Sequence, residues 1–231
     1  PTLLPLLSQW DYHAEIPVVP PPERIAAAKA LVGWKQFERD TSSAFLPRAG
    51  MGIDIGGIGK EYAVDRVIEM AQERGITDIM ADFGRDIRAL GQPPEGGPWR
   101  IGLEDPDDSG QCWCGLGFTD RAVATSGDYA RHFVAGGRRY GHILDPRTGN
   151  PVDNGCLAVS VIAPTCTEAG ILSTSCFVLG LKEGADLLAR VQQASGSILA
   201  RQGTFRSPDF DRYVLSKHVR KPARTTQEVA S

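Results

Sequence analysis

The feature that most constrains the fold is a glycine-rich turn directly before the clearest helical segment of the chain. Residues 51–60 read Met-Gly-Ile-Asp-Ile-Gly-Gly-Ile-Gly-Lys, and the first five predict a strand. Residues 60–74 carry an apolar stripe at helical spacing, and Gly75 supplies a C-terminal stop. The segment therefore predicts a strand, a tight turn and a helix whose first N–H groups point outward.

The remaining elements decide the fold class. The same patterns predict helices at residues 23–32, 167–179 and 182–194, and strands at 76–83, 86–90, 99–104 and 158–163. Because the strands come in clusters instead of alternating with helices, we predict an α+β fold, with a mixed sheet and packed helices. From about Arg206 the chain becomes polar and basic. We therefore predict one domain over residues 1–205 and a polar tail over 206–231, with its last ten residues disordered.

Composition excludes several classes of function. The chain has 231 residues, with 25 basic and 28 acidic side chains and a formal net charge of −3, so no excess of positive charge favours binding to nucleic acid. No apolar run reaches the roughly 18 residues of a membrane-spanning helix. The five cysteines lack the spacing of a disulfide framework or a zinc site, so free thiols are predicted. The sequence opens at Pro1 without an initiator Met, and we expect either a removed leader or a fragment.

The glycine-rich turn is a candidate seat for a pyrophosphate. Its spacing fits neither a Walker loop, which would need glycine where Asp54 stands, nor a Rossmann fingerprint. A helix that begins after glycines still favours an anion at its N-terminus. Lys60 adds a mobile positive charge, and Asp54 can accept a hydrogen bond from a ribose or a ring N–H. An ordinary tight turn explains the same residues equally well.

Two later segments also combine small residues with polar side chains. The first, Thr125-Ser-Gly-Asp-Tyr129, offers hydroxyls to a phosphate or an adenosine, and its alternative is a turn that caps the next helix. The second, His142-Ile-Leu-Asp-Pro-Arg-Thr-Gly149, begins with a histidine before a rigid Asp-Pro turn. Histidine is the natural base near neutral pH, although a lone histidine is more often structural.

Together and in this order, these segments resemble the FAD:protein FMN transferase (ApbE) family. From Asp54 to Asp65 the match is interrupted only at Glu61, where the family has glycine. The resemblance covers roughly residues 5–200 and implies an ApbE-like flavin transferase fold. It further implies a magnesium-assisted enzyme that moves FMN from FAD to a threonine or serine of an acceptor flavoprotein and releases AMP.

The resemblance also implies roles for single residues. His142 would activate the acceptor hydroxyl, and Lys60 would act with it at the phosphates. Contacts with FAD are implied for Trp10, Asp54, Gly57, Lys60, Thr125, Ser126 and Ile143. The magnesium ion (Mg²⁺) would be held by the carbonyl of Gly57 and the hydroxyl of Thr174.

The sequence departs from the family at the metal site. Gly170 stands where the family has an aspartate ligand, and magnesium requires oxygen ligands that include a carboxylate. Glu168 is two residues away, so on a helix it points elsewhere. A flavin-binding protein without catalysis and an FAD pyrophosphatase are therefore the alternatives to the transferase.

A second departure concerns the part of the family domain that precedes this sequence. Family members carry a further N-terminal segment that forms one wall of the flavin pocket, so we expect a pocket that is incomplete or closed by another chain, which leaves a homo-oligomer open. The resemblance favours the bacterial cell envelope or periplasm and leaves the cytoplasm open.

Overall fold

The computed structural model of this chain describes residues 2–129 and 131–217. Its helices are α1 (Leu4–Leu7), α2 (Pro22–Lys29), α3 (Gly59–Glu73) and α4 (Cys166–Leu188), with 3-10 helices at Trp34–Gln36 and Phe210–Tyr213. Its strands are β1 (Glu38–Arg39), β2 (Ala44–Phe45), β3 (Ile79–Phe83), β4 (Asp86–Leu90), β5 (Trp99–Asp105), β6 (Asp108–Phe118), β7 (Arg121–Gly127), β8 (His132–Ala135), β9 (Arg138–Gly141), β10 (Cys156–Ala163), β11 (Ser195–Ala200), β12 (Gly203–Arg206) and β13 (Val214–Lys217).

A six-stranded sheet lies at the centre of the fold, in the order β12-β11-β10-β7-β4-β3. The predicted α+β class is confirmed. Each of the five ladders in the sheet is antiparallel, where the sequence predicted a mixed sheet. Even α4, which could have connected two parallel strands, joins the antiparallel neighbours β10 and β11.

The two faces of this sheet pack against different layers. On one face, Ile87, Val123 and Ile162 meet the three-stranded sheet β13-β6-β5 in a buried apolar cluster. On the other face, Val159 packs with Phe177 of α4. Successive residues of a strand point to opposite faces, so β7 and β10 contribute side chains to both layers.

Most of the predicted elements are confirmed. The helices expected at 23–32 and 60–74 are α2 and α3, and the strands expected between 76 and 104 and at 158–163 are β3, β4, β5 and β10. The two helices expected at 167–179 and 182–194 are the two parts of α4, which ends at Leu188 and is interrupted at Gly180. Gly180 has φ 87° and ψ −177°, a conformation that residues with a Cβ essentially never adopt.

Two expectations need correction. The strand predicted at residues 51–55 is wrong, because this segment pairs with no other strand among the described residues, and Ile53 and Ile55 remain exposed. The domain boundary predicted at residue 205 falls inside β12, and the domain continues to at least residue 217. Phe210 is fully buried between the two sheets, and β13 pairs with β6. Residues 218–231, with most of the predicted tail, lie outside the described residues.

Two further predictions concern cysteines and membrane spans. All five cysteines are free thiols, as predicted, and four of them are buried. In the described part of the chain no helix combines the length and the apolar character that crossing a membrane requires.

Candidate active site

The predicted phosphate seat is an exposed turn that leads into α3. Asp54 folds back onto this turn, because its Oδ1 accepts a hydrogen bond of 2.9 Å from the backbone N–H of Gly56. Gly57 is exposed, and a Cβ built on it would stand in open space. Among the described residues no side chain caps the N-terminus of α3. The positive end of the helix therefore faces outward beside Lys60.

Lys60 is held by the hairpin that joins β3 and β4. Gly84 and Arg85 have positive φ angles of 69° and 73°, which form a tight two-residue hairpin turn. A Cβ at Gly84 would lie 3.6 Å from Cδ of Lys60, so the lysine stem rests on this turn. The Lys60 ammonium is paired with the buried carboxylate of Asp86. Burial raises the pKa of Asp86, and Lys60 opposes that rise. Asp86 thus orients Lys60.

Thr125 and Ser126 lie on β7 and point to opposite faces of the central sheet. Thr125 Oγ1 is 2.8 Å from the hydroxyl of Ser160, its partner across the ladder. Ser126 Oγ lies 2.9 Å from the hydroxyls of both Ser173 and Thr174 on α4. Of the two predicted ligand contacts, the structure therefore brings Ser126 to the predicted metal ligand Thr174 and places Thr125 on the other face.

The position of the missing aspartate is filled from another helix. Gly170 is buried on α4, and a Cβ built on it would lie 2.6 Å from Cγ and 2.8 Å from Oε1 of Glu61 on α3. Glu61 is only 5% exposed, and its Oε2 is buried with no hydrogen-bond partner among the described residues. Burial is the main cause that raises the pKa of Glu61, and the carboxylate of Asp86 adds to the rise. Sequence reasoning treated Gly170 and Glu61 as separate departures, whereas the structure places one against the other.

Asp65 fixes how α3 and α4 pack together. Its carboxylate accepts hydrogen bonds from the backbone N–H groups of Cys166 and Thr167, at 2.8 Å and 2.9 Å, and from the Thr167 hydroxyl at 2.7 Å. Arg88 pairs with it at 2.9 Å. Asp65 and Glu61 are four residues apart on one helix face, so the anchoring of Asp65 also holds Glu61 against α4.

Glu168 is engaged at the N-terminus of α4 and does not reach the site. Its backbone N–H donates to Thr165 Oγ1 at 3.2 Å, and the Thr165 hydroxyl donates to its carboxylate at 3.0 Å. These two hydrogen bonds cap the N-terminus of α4, where the first backbone N–H groups lack partners within the helix. The prediction that Glu168 points elsewhere is confirmed.

His142 is a half-buried histidine in a defined tautomer. Its Nδ1 lies 3.1 Å from the carbonyl oxygen of Arg131. A carbonyl oxygen only accepts, so Nδ1 carries the proton and Nε2 keeps a free lone pair. Burial is the main cause that lowers the pKa of His142, and the charge of Lys60 acts in the same direction. The structure therefore brings His142 and Lys60 within electrostatic range of each other.

Two predicted FAD contacts lie in packed surroundings. Trp10 is 4% exposed, its ring packs beside Phe133 and Tyr140, and its Nε1 donates to the carbonyl of Gly149 at 3.2 Å. Ile143 packs against the buried cluster between α4 and the sheet. Trp10 therefore has little accessible surface for a flavin contact, whereas Ile143 is only partly buried.

Arg147 and Asp145 complete the turn after His142. The Arg147 guanidinium pairs with Asp145 through Nε at 3.0 Å and Nη2 at 2.9 Å. The Asp145 carboxylate also accepts a hydrogen bond of 2.8 Å from the backbone N–H of Arg147, so Asp145 shapes the turn.

A magnesium ion fits this site only if oxygen donors of different kinds coordinate it together. The described residues contain no cluster of three or more His, Cys, Asp or Glu side chains arranged for a metal. Thr174 is one helical turn from Gly170, and the carboxylate of Glu61 lies against Gly170 with its other oxygen, Oε2, unpartnered among the described residues. Mg²⁺ commonly combines one or two carboxylates with waters and substrate phosphates, and these residues suit that pattern.

Comparison with known proteins connects this arrangement to one family. The sequence profile of the ApbE family matches residues 1–198. The chain is 36% identical to an FAD:protein FMN transferase of Vibrio cholerae and 34% identical to one of Haemophilus influenzae, over 79% and 78% of its length. It spans just over half of those relatives, 56% and 54% of their lengths.

Solved structures share the fold. The flavinyl transferase ApbE of Pseudomonas stutzeri, in its apo form, superimposes with a TM-score of 0.80 and 32% identity over 94% of this chain and 69% of its own. The ApbE protein of Thermotoga maritima superimposes with a TM-score of 0.83 and 34% identity, over 92% of this chain and 71% of its own.

Proposed function

The chain belongs to the ApbE family, and on that basis we propose that it is an FAD:protein FMN transferase. It would move FMN from FAD to a threonine or serine of an acceptor flavoprotein and release AMP. The relatives that carry this name supply the reaction class. The structural support is the pairing of Lys60 with Asp86 beside the start of α3, together with the tautomer of His142 that the Arg131 carbonyl fixes.

His142 serves as the base in this proposal. Its Nε2 has a free lone pair, because Nδ1 donates to the Arg131 carbonyl. Nε2 takes the proton from the acceptor hydroxyl as that oxygen bonds to the FMN phosphorus, and the bond from phosphorus to the AMP oxygen breaks. A neutral imidazole is required for this step, and burial favours the neutral form by lowering the pKa of His142.

Lys60 and the start of α3 bind the pyrophosphate. The Lys60 side chain is 44% exposed while Asp86 orients its ammonium, so the ammonium can bind a phosphate without leaving Asp86. The uncapped helix N-terminus adds positive potential beside it. The Thr174 hydroxyl and the Gly57 carbonyl would help to hold Mg²⁺, which when bound offsets charge that develops on the pyrophosphate.

The test is FMN transfer to a peptide that carries the acceptor threonine, measured as peptide-bound flavin fluorescence with FAD and Mg²⁺. The parent protein should label the peptide. His142→Ala should slow labelling by about 10²- to 10⁴-fold, the usual contribution of a positioned base. His13→Ala removes an exposed histidine and should change nothing. Equal rates for parent and His142→Ala would remove the base from this account.

The two alternatives give different results in the same assay. An FAD pyrophosphatase releases AMP at the same rate with and without the peptide, and the flavin product stays free. A flavin-binding protein without catalysis releases no AMP. That alternative depended on a lost metal carboxylate at Gly170, and the Glu61 carboxylate in that space weakens the argument for it.

A further inference from the structure

We infer that Glu61 supplies the carboxylate ligand for a divalent cation at this site, from α3, in place of a side chain at residue 170 of α4. The inference rests on the proposed function for the identity of the site. It gives Glu61 a role in binding and makes Gly170 a requirement of that role.

The first argument is steric. A Cβ at residue 170 would lie 2.6 Å from Cγ, 2.8 Å from Oε1 and 3.0 Å from Cδ of Glu61. Separations under 3 Å are closer than real carbon atoms approach, so only glycine lets the glutamate occupy this space. The Glu61 carboxylate therefore occupies the space that a side chain at residue 170 would take, and it can do so because residue 170 is glycine.

The second argument is the unpartnered oxygen. Glu61 is 5% exposed, and its Oε2 is buried with no hydrogen-bond partner in residues 2–129 and 131–217. Leaving a buried polar atom without a partner costs about 1–3 kcal/mol, and more for a charged group. A cation at this oxygen removes that cost, because its attraction replaces the missing hydrogen bond.

The third argument is the set of oxygens around it. Residues 170 and 174 are one turn apart on α4, and helix side chains tilt toward the N-terminus, so the Thr174 hydroxyl lies on the face that Glu61 covers. Ser126 Oγ is 2.9 Å from that hydroxyl. Lys60, the neighbour of Glu61 in sequence, is the proposed phosphate ligand, so phosphate oxygens at this end of α3 would complete the shell of a hard cation.

The direct test measures Mn²⁺ binding, without FAD, by electron paramagnetic resonance of the free ion. Manganese is the probe because it shares the oxygen preference of magnesium. The parent protein should bind one Mn²⁺, and Glu61→Gln, which keeps the shape and removes the charge, should bind it at least about tenfold more weakly. Glu69→Gln makes the same charge change on the same helix, at an exposed carboxylate that pairs with Arg66, and should bind like the parent.

Exchanging the two residues tests the geometry. Gly170→Ala should lose Mn²⁺ binding and melt at lower temperature, because its Cβ displaces the Glu61 carboxylate and brings no oxygen ligand of its own. The double variant Glu61→Gly, Gly170→Asp should recover both Mn²⁺ affinity and melting temperature. Recovery excludes misfolding as the cause of the losses.

Three results would overturn the inference: no Mn²⁺ binding by the parent up to millimolar concentrations, unchanged affinity in Glu61→Gln, or full affinity in Gly170→Ala. These results are independent of the proposed function. If Glu61→Gln loses Mn²⁺ affinity but the parent protein transfers no FMN, Glu61 remains a metal ligand and the proposed transferase activity is rejected. If the parent transfers FMN but Glu61→Gln keeps its Mn²⁺ affinity, the transferase stands and Glu61 is rejected as a metal ligand.

Discussion

Single residues of this site act through partners that the sequence does not show. The Arg131 carbonyl holds the Nδ1–H of His142, so Nε2 keeps the free lone pair that the proposed base needs. Lys60 is oriented by Asp86, which itself lies buried behind the lysine. In both cases the sequence suggested the residue from its chemistry, and the structure adds the partner group that orients its side chain.

The pH dependence of transfer follows from His142. Its pKa is lowered from 6.5, mainly by burial, so the active neutral form persists below that pH. The rate should be level near neutral pH and should fall as the pH drops through a value below 6.5 and protonates Nε2. Initial rates of peptide labelling from pH 5 to 8 give the profile. An acid limb at or above 6.5 would mean that a different group limits the reaction.

Removing the Lys60 charge should weaken FAD binding. A hydrogen bond to a charged group contributes about 1.5–3 kcal/mol, so the Kd of Lys60→Ala for FAD should rise by roughly 10- to 100-fold. Flavin fluorescence quenching measures the affinity. Lys182→Ala, an exposed lysine on α4, is the matched control. Lys60→Ala also leaves the buried Asp86 carboxylate without its partner. The double variant Lys60→Ala, Asp86→Asn removes that unpaired charge, so it separates the loss of the phosphate contact from the effect of the unpaired carboxylate. Unchanged affinity in both variants would contradict the phosphate seat.

At the scale of elements, the packing of α3 on α4 decides which side chains meet. Asp65 anchors the first turn of α4 through three hydrogen bonds and binds Arg88. Periodicity predicted both helices correctly, yet it could not predict that residue 61 of one would fill the space at residue 170 of the other. That contact depends on helix rotation and crossing, which the long-range bonds of Asp65 set.

Asp65→Ala should therefore destabilise the fold by about 2–4 kcal/mol, since it leaves Arg88 and two helix N–H groups without a partner. Urea unfolding followed by circular dichroism gives the free energy of unfolding. Glu69→Ala, at an exposed position of α3, should stay within about 0.5 kcal/mol of the parent. Equal losses in both variants would show that Asp65 does not anchor α4.

Acid should remove the same stabilisation. Burial alone would raise the pKa of Asp65, but its hydrogen bonds from Thr167, Cys166 and Arg88 outweigh burial and hold the pKa below 3.8. The folded state thus favours the carboxylate, so this stability is present above 3.8 and is lost as the pH falls from 3.8 through the lower pKa of the folded state. The difference in unfolding free energy between parent and Asp65→Ala should shrink from pH 7 to pH 3.

At the scale of the whole molecule, the local sequence pattern predicted the α+β fold class but missed several strands, among them β6 of the three-stranded sheet. Strands such as β10 are runs of apolar residues and were found from the sequence. β6 was not predicted, because its glycines suggest a turn. Cβ atoms at Gly115 and Gly117 would lie 2.6 Å from Ser216 Oγ and 2.7 Å from Leu215 Cδ1, so these glycines admit β13. The two glycines are explained only by the distant strand β13. The pairing of β13 with β6 also extends the domain beyond residue 205.

Phe210 tests this extension of the domain. It is fully buried between the two sheets, so Phe210→Ala should cost about 3–5 kcal/mol of unfolding free energy. Phe45 is 58% exposed, and Phe45→Ala should cost little. Thermal unfolding of the two variants beside the parent makes the comparison. A small loss in Phe210→Ala would mean that the chain after residue 205 is dispensable for the fold.

The central claim is that this chain joins FMN covalently to an acceptor. Mass spectrometry of the acceptor peptide after incubation with FAD and Mg²⁺, with AMP quantified in the same sample, tests it most directly. The account predicts peptide that carries FMN on its threonine, with AMP in equal amount. AMP without modified peptide, or no AMP at all, would contradict it.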